Sequence, residues 1–92
     1  MLKGDLIKGF REAKELNSKY VGVLVSRSTD YTKDIFLNYG DNLEAKLKSY
    51  DISYDEELIS KRYDFTKVLN VAYGETPTDV TNKLMEGLED DK

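Results

Sequence analysis

Residues 20–26, Tyr-Val-Gly-Val-Leu-Val-Ser, constrain the fold most, because almost every side chain in this segment is apolar. β-Branched and aromatic residues of this kind favour a β-strand. The side chains alternate between two faces, one with Val21, Val23 and Val25 and the other with Tyr20, Gly22 and Leu24. A strand that is apolar on both faces is typical of a sheet centre, with at least partial cover on each side.

Two further segments predict the other strands of this sheet. Residues 33–39 alternate Ile35, Leu37 and Tyr39 with Asp34, Phe36 and Asn38, and the short polar connection before them predicts an antiparallel hairpin over residues 20–39. Residues 67–73 place Leu69, Val71 and Tyr73 on one face and Val68, Asn70 and Ala72 on the other. The strand order 2-1-3 puts the most apolar strand in the centre, with the third strand antiparallel to the first.

Three helices are predicted, over residues 1–17, 42–61 and 77–88, and residues 89–92 are predicted to be a frayed tail. In the first, an apolar stripe recurs at helical spacing, formed by Leu2, Leu6, Phe10, Ala13 and Leu16. The second starts where Asp41 or Asn42 can cap it, and it has a weak point at Ile52–Ser53. Its apolar stripe at helical spacing consists of Leu43, Leu47, Tyr50, Tyr54 and Leu58. The third starts with Thr76 as N-cap, Pro77 at the first position and Asp79 as a capping-box carboxylate.

The fold class predicted from this order, α-β-β-α-β-α, is a single small α+β domain over residues 1–92. We expect a three-stranded, mainly antiparallel sheet with the second and third helices packed on it. The predicted core consists of Leu43, Leu47, Tyr50, Leu58, Val23, Leu69, Val71, Val80 and Leu84.

The residue types that are missing limit the chemistry. The chain has no Cys, His or Trp, which excludes disulfides, Ser-His-Asp and Cys-His catalysis, and imidazole zinc sites. We therefore predict no enzyme activity, no catalytic residue, no metal and no cofactor. The alternative enzyme hypothesis is metal-dependent phosphoester chemistry on Asp51, Asp55 and Glu56.

The longest apolar run, near residues 21–25, is far too short to span a bilayer, and Lys3, Asp5 and Lys8 interrupt any signal sequence. We expect a cytoplasmic protein without a membrane partner.

Charge is unevenly distributed along the chain. The net charge of the chain is −4. The net negative charge of residues 40–92 alone is larger than that of the whole chain. An acidic face that also exposes tyrosine can complement a basic protein surface, although a merely solvated face is the alternative. The candidates for partner binding are Tyr31, Tyr63, Asp51, Asp55, Glu56, Glu57 and Asp64.

Three other functions stay open at this point. Direct nucleic-acid binding, which the acidic balance disfavours, would use a basic strip on the first helix formed by Lys3, Lys8, Arg11, Lys14 and Lys19. A structural role in a virion is the second. The third is self-association, as a homodimer that pairs through the first helix or through a sheet edge.

Residues 42–50, Asn-Leu-Glu-Ala-Lys-Leu-Lys-Ser-Tyr, are followed by Tyr-Asp-Glu-Glu-Leu at 54–58 and by Ala-Tyr-Gly at 72–74. This pattern resembles small, functionally uncharacterised proteins encoded by phages and prophages of low-GC Gram-positive bacteria. The resemblance implies a phage or prophage accessory protein in the cytoplasm of a bacterial host cell. It implies no catalytic or binding residue, because its motifs are packing patterns. On this basis we expect a protein that binds or regulates a protein partner.

Overall fold

The computed structural model describes residues 2–27, 32–62 and 66–89. Its elements are α1 (Lys3–Glu15), β1 (Tyr20–Arg27), β2 (Thr32–Tyr39), a 3-10 turn (Gly40–Asn42), α2 (Leu43–Ser53), β3 (Thr66–Gly74) and α3 (Pro77–Glu89). The predicted α+β class and the order α-β-β-α-β-α are confirmed. The predicted turn residue Tyr31, residues 63–64 and most of the predicted tail lie outside the described residues.

The sheet has the predicted order, β2-β1-β3. Both outer strands are antiparallel to β1, whose Tyr20 pairs with Tyr39 of β2 and with Gly74 of β3. The most apolar strand therefore lies in the centre, and β2 and β3 run in the same direction on either side of it.

β3 does not alternate as predicted, because it contains a β-bulge. Leu24 pairs with Asn70 while the next residue, Val25, pairs with Val68, which leaves Leu69 as the extra residue. A bulge shifts the alternation of side chains by one position. Val68 and Leu69 consequently lie on exchanged faces relative to the prediction, with Val68 towards α1 and Leu69 towards α3.

The two faces of the sheet carry separate apolar clusters. On the face covered by α1, which we call the α1 face, the buried residues are Leu6, Phe10, Ala13, Val21, Val23, Val25, Leu43, Leu58 and Val68. On the opposite α3 face, Leu24 is buried against Val80 and Leu84 of the last helix. The two clusters therefore cover both faces of β1, as the sequence predicts.

The helix that covers the α1 face is α1 and not α2, which corrects the prediction. Leu6 and Phe10 are almost fully buried, whereas Leu43 is the only buried residue of α2. Leu47 and Tyr50 are partly buried, because α2 lies at the margin of the sheet against α1 and β2. The predicted dimer through the first helix would therefore lack Leu6 and Phe10, which are used within the chain.

α2 ends at Ser53, at the predicted weak point, and does not continue to residue 61. The chain then turns back, and Tyr54 and Ser60 form an isolated bridge. Leu58 lies between them, fully buried and with a positive φ of 61°. The helical spacing of Leu58 misled the prediction, because this residue enters the core from a turn.

The caps of the helices agree in part with the prediction. The Thr76 hydroxyl accepts a hydrogen bond from the backbone N–H of Asp79 at 3.1 Å, as expected for an N-cap. The Asp79 carboxylate pairs instead with Lys83 at 3.2 Å, one helical turn later. At α2, Asn42 makes no side-chain cap hydrogen bond and Asp41 lies inside the 3-10 turn, so the predicted cap at this position is wrong.

Candidate functional site

An open groove of about 1250 Å³ lies between β2, α2 and the segment over residues 54–62. We call it the β2–α2 groove. The lining residues that matter for its chemistry are Phe36, Asn38, Lys46, Tyr50, Tyr54 and Lys61. They come from three separate parts of the chain, which meet because α2 stops at Ser53 and the following turn bends back beside it.

Aromatic rings form the apolar part of the β2–α2 groove. Tyr50 packs edge-on against buried Phe10, with ring centroids 5.8 Å apart, and the ring of Tyr54 lies 5.8 Å from that of Tyr50. Phe36 reaches the groove from β2 and remains substantially exposed. Since the tyrosine rings are anchored on the core, they offer a ligand a preorganised apolar surface.

The two tyrosine hydroxyls in the groove are neutral at physiological pH. Burial raises the pKa of Tyr50, an effect that a hydrogen bond from Asn38 partly offsets. Burial likewise raises the pKa of Tyr54, and the charge of nearby Arg27 opposes it. Both groups can donate and accept hydrogen bonds, and neither is activated as a nucleophile.

These shifts predict a loss of stability at high pH. A tyrosine whose pKa is higher in the folded than in the unfolded chain stabilises the fold fully below the ordinary value of 10.0. This contribution is lost as the pH rises through the higher folded value. We expect Tyr50→Phe to flatten the decline of the unfolding free energy above about pH 10, measured by urea denaturation. Equal slopes in the variant and the original protein would contradict the assignment of a raised pKa to Tyr50.

The β2–α2 groove is positively charged in a chain that is acidic as a whole. Arg27, Lys46, Lys61 and Arg62 line it, and none of its described lining residues carries a carboxylate. Arg27 is partly neutralised by Asp34, at 3.4 Å from Nε. Lys46 and Lys61 are exposed and form no ion pair with another described residue. These two lysines are therefore available to an anionic ligand.

Asp51, one of the predicted partner-binding residues, is engaged within the chain. Lys3 is buried, with 7% of its surface exposed, and its Nζ donates to the Asp51 carbonyl at 2.9 Å. The same ammonium lies 3.2 Å from the Asp51 carboxylate and 4.0 Å from that of Glu56. The prediction that Lys3 belongs to a basic strip is therefore wrong, because its side chain joins the start of α1 to the end of α2.

Asp55 has a local structural role. Its Oδ1 accepts hydrogen bonds from the backbone N–H groups of Glu57 and Ile59, at 2.9 and 3.0 Å. These bonds hold the turn in which Leu58 adopts a positive φ. Glu56 and Glu57 remain exposed at the surface of this turn.

The remaining candidates are divided between described and undescribed parts of the chain. Tyr31, Tyr63 and Asp64 lie outside the described residues, so an acidic partner-binding face stays a prediction. In the predicted basic strip, Lys14 pairs with Glu44, and this ion pair lowers the pKa of the glutamate. Within residues 2–27, 32–62 and 66–89, no three carboxylates come together as a metal would require. No helix in the same ranges combines the length and the apolarity needed to cross a bilayer.

Comparisons of this chain with protein-family models, with curated proteins and with solved structures found no significant match.

Proposed function

We propose that the protein is a non-enzymatic binding protein and that its β2–α2 groove receives an acidic segment of a protein partner. One observation carries this proposal. The groove combines anchored aromatic rings with two lysines that lack an ionic partner among the described residues, and no described lining residue is acidic.

Each component of the groove has a role in such binding. Aromatic side chains at the centre of an interface supply most of its apolar contact and are frequent hot spots. Lys46 and Lys61 supply charge complementarity, which accelerates encounter with an acidic segment and selects against basic ones. The hydroxyls of Tyr50 and Tyr54 can fix the orientation of a bound backbone.

A protein segment fits this groove better than a nucleic acid does. Nucleic-acid affinity depends on many phosphate contacts, commonly six to ten, whereas this groove has two lysines without an ionic partner. The net charge of −4 also repels a long polyanion. A short acidic segment brings only a few charges and can use the apolar rings as well.

The setting of this function rests on the sequence resemblance alone. We propose that the protein is a phage or prophage accessory protein that acts in the cytoplasm of a bacterial host cell. In that setting, a small protein without enzyme chemistry acts by occupying a surface of another protein.

The proposal is tested by selecting ligands from a displayed library of short random peptides. We expect the selected peptides to carry Asp or Glu beside an apolar residue. Replacing both Lys46 and Lys61 with glutamate should weaken their binding roughly tenfold or more, measured by fluorescence anisotropy, because it places like charges beside the ligand.

A matched control separates a local effect from one of total charge. Lys8→Glu with Lys48→Glu changes the net charge equally, but both lysines are exposed outside the groove. This control should keep the affinity of the original protein. Selection of basic peptides, equal weakening by the two double variants, or a single-stranded oligonucleotide that binds more tightly than any selected peptide would refute the proposal.

A further inference from the structure

The two edges of the sheet differ in how their backbone is paired. The outer edge of β3 is covered by the preceding turn, where Ser60 donates to the Thr66 carbonyl and Val68 donates to the Leu58 carbonyl, both at 2.9 Å. No described residue forms a comparable backbone hydrogen bond with the outer edge of β2. β2 therefore presents a row of unpaired backbone groups, which is a template for another strand.

The side chains of this open edge are unusually apolar for an exposed strand. Phe36 is 43% exposed, Leu37 38% and Tyr39 62%. Phe36 lies on the α1 face, opposite Val23, whereas Leu37 and Tyr39 lie on the α3 face, opposite Gly22 and Tyr20. An edge of this kind gains by pairing, because both its backbone and its apolar side chains are left to solvent.

We propose that β2 pairs antiparallel with β2 of a second copy of this chain, with Phe36 on the twofold axis. A strand that pairs with itself about a dyad matches residues at equal distances on either side of it. The opposed pairs are then Phe36 with Phe36, Ile35 with Leu37, Asp34 with Asn38, and Lys33 with Tyr39. Charged residues often protect a strand edge from pairing. Here the two charged residues, Lys33 and Asp34, each face an uncharged residue of the other copy, so they do not oppose this pairing.

Neighbouring registers are less favourable. A twofold axis at Ile35 would set Asp34 against Phe36 and Lys33 against Leu37, which places each charge against an apolar side chain. A twofold axis at Leu37 would pair only residues 35–39, because the chain leaves the strand for the 3-10 turn at Gly40. The register centred on Phe36 instead pairs residues 33–39.

This pairing would extend the sheet to six strands across the dyad. Opposed residues in an antiparallel pair lie on the same face, so the two α1 faces, and with them both β2–α2 grooves, would lie on one side of the joined sheet. Phe36 belongs both to this edge and to the lining of the β2–α2 groove, whereas the lysines and tyrosines of the groove lie outside β2. The inference rests on the strand edge and goes beyond the proposed function.

Cysteine cross-linking tests the contact directly, because the chain has no cysteine and a single substitution can form a disulfide only between copies. Directly opposed residues have Cβ atoms about 4.5–5.5 Å apart, a small movement from disulfide spacing. We expect Phe36→Cys to become mostly disulfide-linked dimer under mild oxidation. Ile52→Cys, at an exposed apolar position on α2, should form little disulfide-linked dimer under the same conditions, because its position lies outside β2.

The register has its own test in mixed samples. Ile35→Cys and Leu37→Cys should cross-link with each other when mixed and much less when oxidised separately. Sedimentation of the unsubstituted chain should show a dimer at roughly 100 μM, a concentration at which even a weak interface is populated. A monomer at that concentration, or a dimer in which Phe36→Cys does not cross-link, would overturn the inference. Either result would leave peptide selection by the groove unaffected, so the two proposals fail separately.

Discussion

Replacing Phe10 with alanine should lower the free energy of unfolding by about 3–5 kcal/mol, the usual cost of truncating a buried aromatic ring. Phe10 is 1% exposed and belongs to the cluster on the α1 face. Its ring also supports Tyr50, at 5.8 Å between centroids. A domain of this size has a total stability of about 5–15 kcal/mol, so the loss would remove a large share of it. Urea denaturation followed by circular dichroism measures the change.

Leu16→Ala is the matched control for this substitution. Leu16 follows α1 directly but is 65% exposed, and its truncation should change the free energy of unfolding by less than about 0.5 kcal/mol. Similar losses in the two variants would show that α1 is not the helix that covers the sheet. The sequence predicts that the second and third helices cover the sheet, so this pair of substitutions tests the main difference between the predicted and the observed packing.

The order of the elements was predictable because each carries a local signal. The alternation in residues 20–26 is apolar on both faces, and this alone places β1 at the centre of the sheet. The N-cap at Thr76, followed by Pro77, fixes the start of α3 through chemistry within four residues. Signals that lie within a few consecutive residues can be read without knowledge of the tertiary contacts.

The errors arose where tertiary contacts override a local pattern. Leu58 continues the helical spacing of α2, yet it is buried from a turn that the Asp55 carboxylate holds. Leu69 continues a regular alternation, yet a bulge opposite Leu24 moves it to the other face. The bulge has no sequence signature, because it depends on the pairing of β3 with β1. The turn has a local signal in Asp55, but the helical spacing of Leu58 predicts a continued helix at the same place.

The candidate site was harder to predict than the fold. The aromatic and basic residues of the β2–α2 groove are separated along the chain, and each has an ordinary interpretation as core or solvated surface. The sequence predicts Tyr50 and Tyr54 on one continuous helical stripe and Lys61 at the end of the same helix. Only the end of α2 at Ser53 brings Lys46, Tyr54 and Lys61 to a common surface.

Replacing Gly22 with alanine should destabilise the protein by about 1–3 kcal/mol, through overpacking on the α3 face. A Cβ at this position would overlap with Cγ1 of Val80 and would lie 2.9 Å from Cδ1 of Leu84. Val80 is β-branched and fully buried, so it cannot turn aside as a long flexible side chain would. The side chains of Val80 and Leu84, or the backbone that carries them, have to shift to admit one methyl group.

The cost is steric and does not come from the backbone, because no glycine in the described residues has a positive φ. Gly4→Ala provides the matched control. Gly4 lies in α1, and a Cβ there would meet nothing within 4 Å. This substitution should therefore stabilise the protein by about 0.4–1 kcal/mol, since alanine restricts the unfolded chain and favours the helix. The same change of residue is expected to have opposite signs at the two positions.

A double-mutant cycle identifies the contact responsible. Val80→Ala removes the methyl group nearest to the new Cβ, so Gly22→Ala should cost less in that background than in the original protein. We expect a coupling free energy of about 0.5–3 kcal/mol, as for residues in direct contact. Additive losses would mean that Gly22 does not face α3. The packing of the last helix on the central strand would then be wrong, together with the assignment of Leu24 and Leu84 to a second core.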